Sequence, residues 1–322
     1  MKYLVTSALP YANAPLHLGH VLEIVQTDAW VRHKNLTEDE ALYFCASDTH
    51  GTPIMLKAKD LGIEPEELIN DLHTNHENTF KKFNINLTNF HSTHSEENKM
   101  LSTDIFKSAQ DKGYIYKKNI SQLYDEKENI FLADRFVKGS CPVCGADDQY
   151  GDACEKCGST YDALDLIKPV SVLSNTIPII KESEHYFFKL NKLSEFLKKN
   201  IKKISKQDPI KAKLNEWLNE DLRDWDVSRD APYFGFNIPG EENKYIYVWM
   251  DAPVGYLASI KNWSESSNIH FDDLINNKDT KLIHFIGKDI VYFHLLFWPA
   301  MLKTAEVESL EEVFVHGFLT IE

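Results

Sequence analysis

The 322 residues suffice for two domains or for one large domain with an insertion, and 43% hydrophobic residues with 12% aromatics describe a packed globular chain, not a disordered one. A net charge of −14 excludes non-specific attraction of nucleic acid by the whole surface, so any RNA contact must be regional. No apolar run approaches the roughly 18 residues of a membrane span, and Met1-Lys2-Tyr3 leads into a strand and not a cleavable leader, so a cytoplasmic protein without membrane partners is expected.

In chain order, residues 3–9 read as a buried strand, followed by the run from Pro10 to His20. Pro15 suits a first helical turn, and Val21, Leu22, Val25 and Ala29 recur at helical spacing, which predicts a helix over 15–34. His17-Leu18-Gly19-His20 therefore falls at a helix N-terminus. Unpaired N–H groups, the positive dipole end and two imidazoles there suit a phosphate, and Gly19 leaves room for a flat base. Two surface histidines at a helix start would give the same four residues. Further strands are expected at 41–46, 87–91, 281–286 and 313–316, with helices over 65–83, 95–112 and 290–303. Such alternation predicts an α/β doubly wound parallel sheet. Cys45 lies in the second strand and reads as a small core residue.

The gap between the third and fourth strands is too long for one crossover. It divides the chain into a first half of the sheet domain (1–111), an insertion (112–229) and a second half (230–322). The insertion holds Cys141-Pro142-Val143-Cys144-Gly145 and Cys154-Glu155-Lys156-Cys157-Gly158, two matching knuckles nine residues apart. Each offers two thiolates to one ion, and the glycine permits the tight turn that points backbone N–H groups at sulfur. Zn²⁺, one per chain, is the natural occupant, and four thiolates leave no open position, so the metal is expected to be structural. Residues 189–213 contain nine lysines against Glu195 and Asp208. Lys198, Lys202 and Lys206 line one side and Leu193, Leu197, Ile201 and Ile204 the other, which predicts an amphipathic helix whose basic face either is solvated or meets an RNA backbone.

Four more strings end strands or open helices on one edge of the expected sheet: 48–53 (Asp-Thr-His-Gly-Thr-Pro), 225–230 (Trp-Asp-Val-Ser-Arg-Asp), 247–256 (Tyr-Val-Trp-Met-Asp-Ala-Pro-Val-Gly-Tyr) and 287–294 (Gly-Lys-Asp-Ile-Val-Tyr-Phe-His). With the histidine motif and the knuckles, they resemble class I aminoacyl-tRNA synthetases, and among these the methionyl-tRNA synthetase family of the bacterial, single-knuckle type. The resemblance spans the whole chain. It implies a Rossmann-like catalytic domain with an inserted zinc-binding connective domain, and a methionine ligase that consumes ATP with Mg²⁺ and acylates tRNA(Met). Carried over residue by residue, it implies Asp48 for the α-ammonium and Arg229 for the active-site carboxylates. Leu9, Tyr11, Trp249, Ala252, Pro253, Tyr256, Ile290 and His294 match the methionine pocket, where the Leu9 N–H and the Tyr256 hydroxyl approach sulfur. For ATP it implies His17 and His20 on the phosphates, Gly19 under adenine, Gly287 and Asp289 on the ribose, and His316, Gly317 and Leu319 around the adenine slot.

The sequence departs from the family pattern at its end, since it stops shortly before the position of the family's Lys-Met-Ser-Lys-Ser loop. The domains that follow that loop, including the one that reads the anticodon, lie outside these residues. The expectation is that the 322 residues bind methionine but activate it poorly. Two other readings share part of this signature: another nucleotidyltransferase with the same histidine motif, and a non-catalytic zinc-dependent binding module.

Overall fold

A computed structural model describes residues 1–37, 39–307 and 310–320. The chain opens with β1 (Lys2–Ser7), α1 (Leu18–Asn35), β2 (Glu40–Ser47), α2 (Thr52–Leu61), α3 (Pro65–Lys82), β3 (Asn89–Ser92) and α4 (Glu96–Asp111). The interval that follows carries β4 (Ile115–Asp125), β5 (Ile130–Phe131), β6 (Val137–Ser140), β7 (Gln149–Tyr150), β8 (Ile167–Ser171) and β9 (Ile179–Phe188), then α5 (Ser194–Ile204) and α6 (Asp208–Asn219). The chain returns through β10 (Trp225–Asp226), β11 (Ser228–Asp230), β12 (Lys244–Ile246), α7 (Val248–Asp251), α8 (Val254–Ser266) and α9 (Phe271–Ile275). It ends with β13 (Thr280–Gly287), α10 (Trp298–Thr304) and β14 (Leu310–His316).

The main sheet has the order β14-β13-β1-β2-β3, and every pairing in it is parallel. Parallel strands covered on both faces need continuous apolar runs, which Tyr3-Leu4-Val5, Tyr43-Phe44-Cys45 and Leu282-Ile283 supply, all buried. Strand order reverses between β1 and β13. Open sheets of this kind bind ligands beyond the carboxyl ends at that point.

Four differences from the sequence reading have physical causes. The first helix begins at Leu18, not at 15, because His17 takes the N-cap with extended φ −103° and ψ 171°. Pro15 therefore belongs to the loop. Helices α2 and α8 were not expected. Pro53 opens α2 at its first turn, while α8 is buried nearly all round and so lacks amphipathic spacing. The helix expected over 290–303 is composite: a 3-10 turn at Lys288–Ile290, a π-helical segment at Phe293–Phe297, then α10.

The expected lysine-rich helix is two helices, interrupted at residues 205–207. Leu197, Ile201 and Ile204 are buried against the sheet domain, as the pattern requires. Much of the basic face is engaged by acidic groups of this chain. Lys206 Nζ lies 2.6 Å from Glu312, Lys203 3.7 Å from Glu311 and Lys198 3.3 Å from Glu195. The interval 112–229 thus has two characters. Residues 190–222 join the core of the main sheet, whereas β5 to β8 enclose a separate small core of Leu123, Ile130, Leu132, Val137, Ala163 and Leu166.

Candidate active site

One cavity of about 830 Å³ opens beyond the carboxyl ends of β1, β2, β13 and β14. Leu9 and Tyr11 reach it from β1, Asp48 from β2, Gly287 and Asp289 from β13, and His316, Gly317 and Leu319 from β14. Arg229, Trp249, Ala252, Pro253, Tyr256, Ile290 and His294 complete the walls, with His17, Gly19 and His20 at the start of α1.

The histidine pair is built by a reciprocal cap. His17 Nδ1 accepts from the Gly19 N–H at 3.1 Å, and His20 Nδ1 accepts from the His17 N–H at 3.2 Å. With both Nδ1 atoms accepting, each neutral ring carries its proton on Nε2, free to donate to an anion. The rings stack at 3.8 Å, and burial, then His17, lowers His20 to about 4. The helix end therefore presents two neutral N–H donors, while the Gly19 amide serves the cap instead of a ligand. Any side chain at position 19 would meet the His17 ring at 2.9 Å. The loop before the cap is tied down by the Ala12 N–H on the Asp48 carbonyl (2.7 Å), His76 Nε2 on the Ala14 carbonyl (2.9 Å) and Lys57 on the Asn13 carbonyl.

Asp48 is not the helix cap that its place before α2 allows; Gly51 holds that position at φ +118°, where a Cβ would stand 3.1 Å from the Tyr11 hydroxyl. The buried Asp48 Oδ1 has no hydrogen-bond partner. Burial, reinforced by Asp251, raises its carboxyl well above the usual range. A buried carboxylate lacking a partner is costly, and a cation from outside would satisfy it.

Arg229 lies on the cavity wall, yet the carboxylate it meets is Asp226, 3.5 Å away, and neither Asp48 nor Asp251. Its guanidinium sits 3.6 Å over the Tyr247 ring and donates to the Ser228 carbonyl at 2.6 Å. His185 orders this strand from behind, 2.7 Å from Asp226 and 2.9 Å from Asp230.

The other end of the cavity is walled by aromatic side chains. Trp249 stacks on Phe293 at 3.9 Å with 9° between planes, and Tyr256 is buried. His294 Nδ1 faces the Ile290 carbonyl at 3.2 Å, so that nitrogen must carry the proton, and Nε2 accepts from the Tyr256 hydroxyl at 2.7 Å. His294 is buried within the π-helical segment, one turn after Ile290 on the same cavity wall, and burial lowers it to about 4. Gly255 packs α8 against this end, where a Cβ would meet Thr93 at 2.8 Å and Leu9 at 2.9 Å.

A Cβ at Gly287 would fall 2.4 Å from the Asp289 carboxylate, so any other residue there displaces that side chain. Opposite, His316 Nε2 lies 3.0 Å from Glu23, while its Nδ1 donates to the Gly317 carbonyl at 2.8 Å. His316 is raised by this bond to Glu23, whose own carboxyl burial pushes up. Glu23 was missed from sequence, although it sits three residues past His20 on the same helical face. Also missed were Tyr233 and Tyr247, and Asp134, Arg135 and Asp152, which the separate small unit contributes to the cavity rim. Nothing in local sequence marks those three.

At the knuckles, the four cysteine Sγ atoms lie within 4.8 Å of one another. Separations of 3.9 Å (Cys141 to Cys157) and 3.6 Å (Cys144 to Cys154) are far beyond the roughly 2.05 Å of a disulfide and match the edge, about 3.8 Å, of a tetrahedron with metal–sulfur bonds of about 2.3 Å. The N–H groups of Val143 and Cys144 point at Cys141 Sγ, and that of Cys157 at Cys154 Sγ. This donor set fits a thiolate-bound ion. Cys45, by contrast, is buried alone, its thiol pushed up to about 12 by burial.

Residues 3–322 match the family tRNA synthetases class I (M). The chain belongs to that family. Its fold is similar to two solved structures of Mycobacterium tuberculosis methionyl-tRNA synthetase, one described as bound by methionyl-adenylate and one as in complex with it. The first has a TM-score of 0.75 at 24% identity, over 99% of this chain and 57% of that one. The second has 0.76 at 24% identity, over 98% and 57%. The class I synthetase chain thus spans little more than half the length of these proteins. Among the described residues no helix is long and apolar enough to cross a membrane.

Proposed function

We propose that this chain is the methionine- and ATP-binding catalytic part of a cytoplasmic methionine–tRNA ligase. It forms methionyl-adenylate with release of pyrophosphate, and the aminoacyl group then passes to tRNA(Met). One observation carries the reading: the Asp48 carboxylate, whose buried Oδ1 has no partner, lines the same cavity as an aromatic slot and the two imidazole donors of α1. An α-ammonium on Asp48 directs its side chain toward Trp249 and Tyr256 and its carboxylate toward the phosphates. The slot suits an unbranched, polarizable thioether, with sulfur–aromatic contacts worth about 0.3–1.5 kcal/mol.

The reaction is an in-line attack by the methionine carboxylate on the α-phosphorus, helped by position and charge stabilisation and without a covalent enzyme intermediate. His17 and His20 donate from Nε2 to phosphate oxygens as charge builds. Asp289 and Gly287 receive the ribose, Gly19 lies under adenine, and the turn from His316 to Leu319 closes the base slot. Arg229, stacked on Tyr247, acts through the Asp226 side of the wall. Magnesium accompanies the nucleotide, and no side chain is assigned to it. Zinc on Cys141, Cys144, Cys154 and Cys157 orders the connective part and takes no part in the chemistry. We retain 1–111 and 230–322 as the catalytic halves and 112–229 as the insertion, with 190–222 packed onto the sheet.

Methionine-dependent exchange of pyrophosphate into ATP tests the reading in the full-length ligase, where His20→Ala should abolish it. A polypeptide limited to these 322 residues has the imidazole half of the phosphate clamp without the lysine loop. Losing one preorganised donor costs about 10²–10³ in rate, so its exchange should fall at least that far while methionine binding persists. Exchange by that polypeptide within about tenfold of the full-length rate would refute the division of labour. Full-length exchange driven by another acid instead of methionine would refute the substrate.

A further inference from the structure

Two carboxylates crowd the ammonium end of the cavity. Asp48 and Asp251 each keep a buried Oδ1 without a partner, and burial raises both carboxyls. Only Asp48 lines the cavity. Asp251, fully buried behind it, directs Oδ2 at Nδ1 of His50, which is also fully buried. His50 Nε2 lies 3.0 Å from Nδ1 of His94, an exposed residue stacked on Phe234. A hydrogen-bonded path thus runs from the buried Asp251 carboxylate to the exposed His94 imidazole, with Asp48 coupled to it through charge alone.

The path accommodates two proton counts without moving an atom. Neutral His50 donates from Nδ1 to Asp251 and accepts at Nε2 from His94; protonated His50 donates at both nitrogens. The other titratable and charged groups toward the inner end are Tyr11, Tyr233, Tyr247 and Tyr256, whose phenols burial keeps neutral, and Arg229, whose charge reaches Tyr233 and Tyr247. At the outer end His94 faces Glu66, Glu96 and Lys99.

We propose that Asp251, His50 and His94 form a proton relay serving the ammonium subsite, so that arrival of a cationic amino group beside Asp48 expels one proton to solvent. The inference rests on the reading of Asp48 as the ammonium site. In the form that holds the extra proton, His50 donates from Nε2 to His94. The positive charge of an ammonium arriving beside Asp48 repels that proton and so disfavours this form. That proton passes from His50 Nε2 to His94 Nδ1, while the proton on His94 Nε2 leaves to water. The substrate ammonium keeps its own protons. His50 is a positioning residue here, since it acts through Asp251.

Calorimetry of methionine binding between pH 5.5 and 8, in phosphate and in Tris, measures the proton count from the buffer dependence of the heat. The wild-type chain should release up to one proton per methionine, and its affinity should rise with pH by up to about tenfold per unit over the releasing range. His50→Gln keeps a hydrogen-bonding side chain but cannot carry the proton, so release should fall toward zero and affinity become flat with pH. His94→Gln, at an exposed site, removes an imidazole that competes for the proton, so the midpoint of release should move to higher pH. If His50→Gln does not fold, His94→Gln decides the matter. No release by the wild-type chain, or one midpoint shared with His94→Gln, would overturn the relay while leaving the ammonium site intact. Failure to bind methionine at any pH would overturn the reading beneath it.

Discussion

Around β1 and β13 the sheet domain buries Leu4, Phe44, Phe106, Phe297 and Trp298 essentially completely, in a core shared by helices from both halves of the chain. Around the knuckles only six buried residues form the core, two of the strands are two residues long, and Val143 and Ile177 remain 69% and 79% exposed. A unit that small buries too little apolar area to offset its conformational entropy without a staple. One part is ordered by packing; the other has little core and a four-thiol cluster that could hold a metal ion. The rim of the cavity draws on both.

Removing the metal should therefore have the largest and most local effect. Apparent binding free energies for structural zinc are about 10–16 kcal/mol, which is folding free energy for the site. Chelation should expose amides between Cys141 and Cys157 to hydrogen exchange while β1, β2 and β13 stay protected. Loss of protection in both regions together would show that the two do not order independently.

The next largest effect falls in the packed region. Asp48→Asn keeps shape but removes the charge that an ammonium requires, and breaking a buried charge pair costs about 2–5 kcal/mol. Methionine affinity should drop by at least roughly 30-fold, with the melting temperature of the free chain unchanged or raised because an orphaned buried carboxylate is gone. Titration calorimetry finding unchanged affinity would remove Asp48 from the site.

Tyr256→Phe is a subtler cut. Its hydroxyl proton is already committed to His294, so the loss for a thioether over the isosteric methylene of norleucine should be about 1 kcal/mol, within the range for such swaps. His294→Ala should act in the same direction. Equal loss for both ligands would mean that these groups shape the wall without reading sulfur.

The smallest effect is a pH dependence at the seam between the regions. Asp226 and Asp230 raise His185 against the opposing effect of its burial. A raised histidine contributes stability that is present in full below its unfolded value near 6.5 and is lost as pH rises through the higher folded value. Melting followed from pH 6 to 9 should show a decline of at most about 1.4 kcal/mol per unit that His185→Gln lacks. A wild-type profile as flat as the variant's would exclude the protonated form.

What could be read from sequence follows the same division. The inner strands β1, β2 and β13 were legible because both faces are covered and their apolar runs are nearly unbroken, the edge strands β3 and β14 only approximately because they are part-buried and polar residues interrupt them, and the knuckles because metal geometry constrains such spacing. Helix α8 was invisible for the opposite reason: burial on all sides erases the period on which such readings rest. Local sequence placed His17 and His20 at a helix start, but not the cap that fixes their protons on Nε2, which depends on one φ/ψ choice at His17. The spacing of Ile290 and His294 puts both on one face but does not encode the π-helical form of Phe293–Phe297 in which His294 lies. Arg229 shows the limit of transferring a role by motif, since its carboxylate partner is the local Asp226.

In the proposed ligase, one cavity holds both methionine and its adenylate. Thermal unfolding of the zinc-loaded 322-residue chain, with methionine and separately with a non-hydrolysable methionyl-adenylate analogue, tests it most directly. Each ligand at 100 times its dissociation constant should stabilise the protein by about 2.7 kcal/mol, and Asp48→Asn should cut the methionine effect to about 0.9 kcal/mol or less at the same concentration. No shift with saturating methionine, in protein shown to be folded and to carry its metal, would contradict the account.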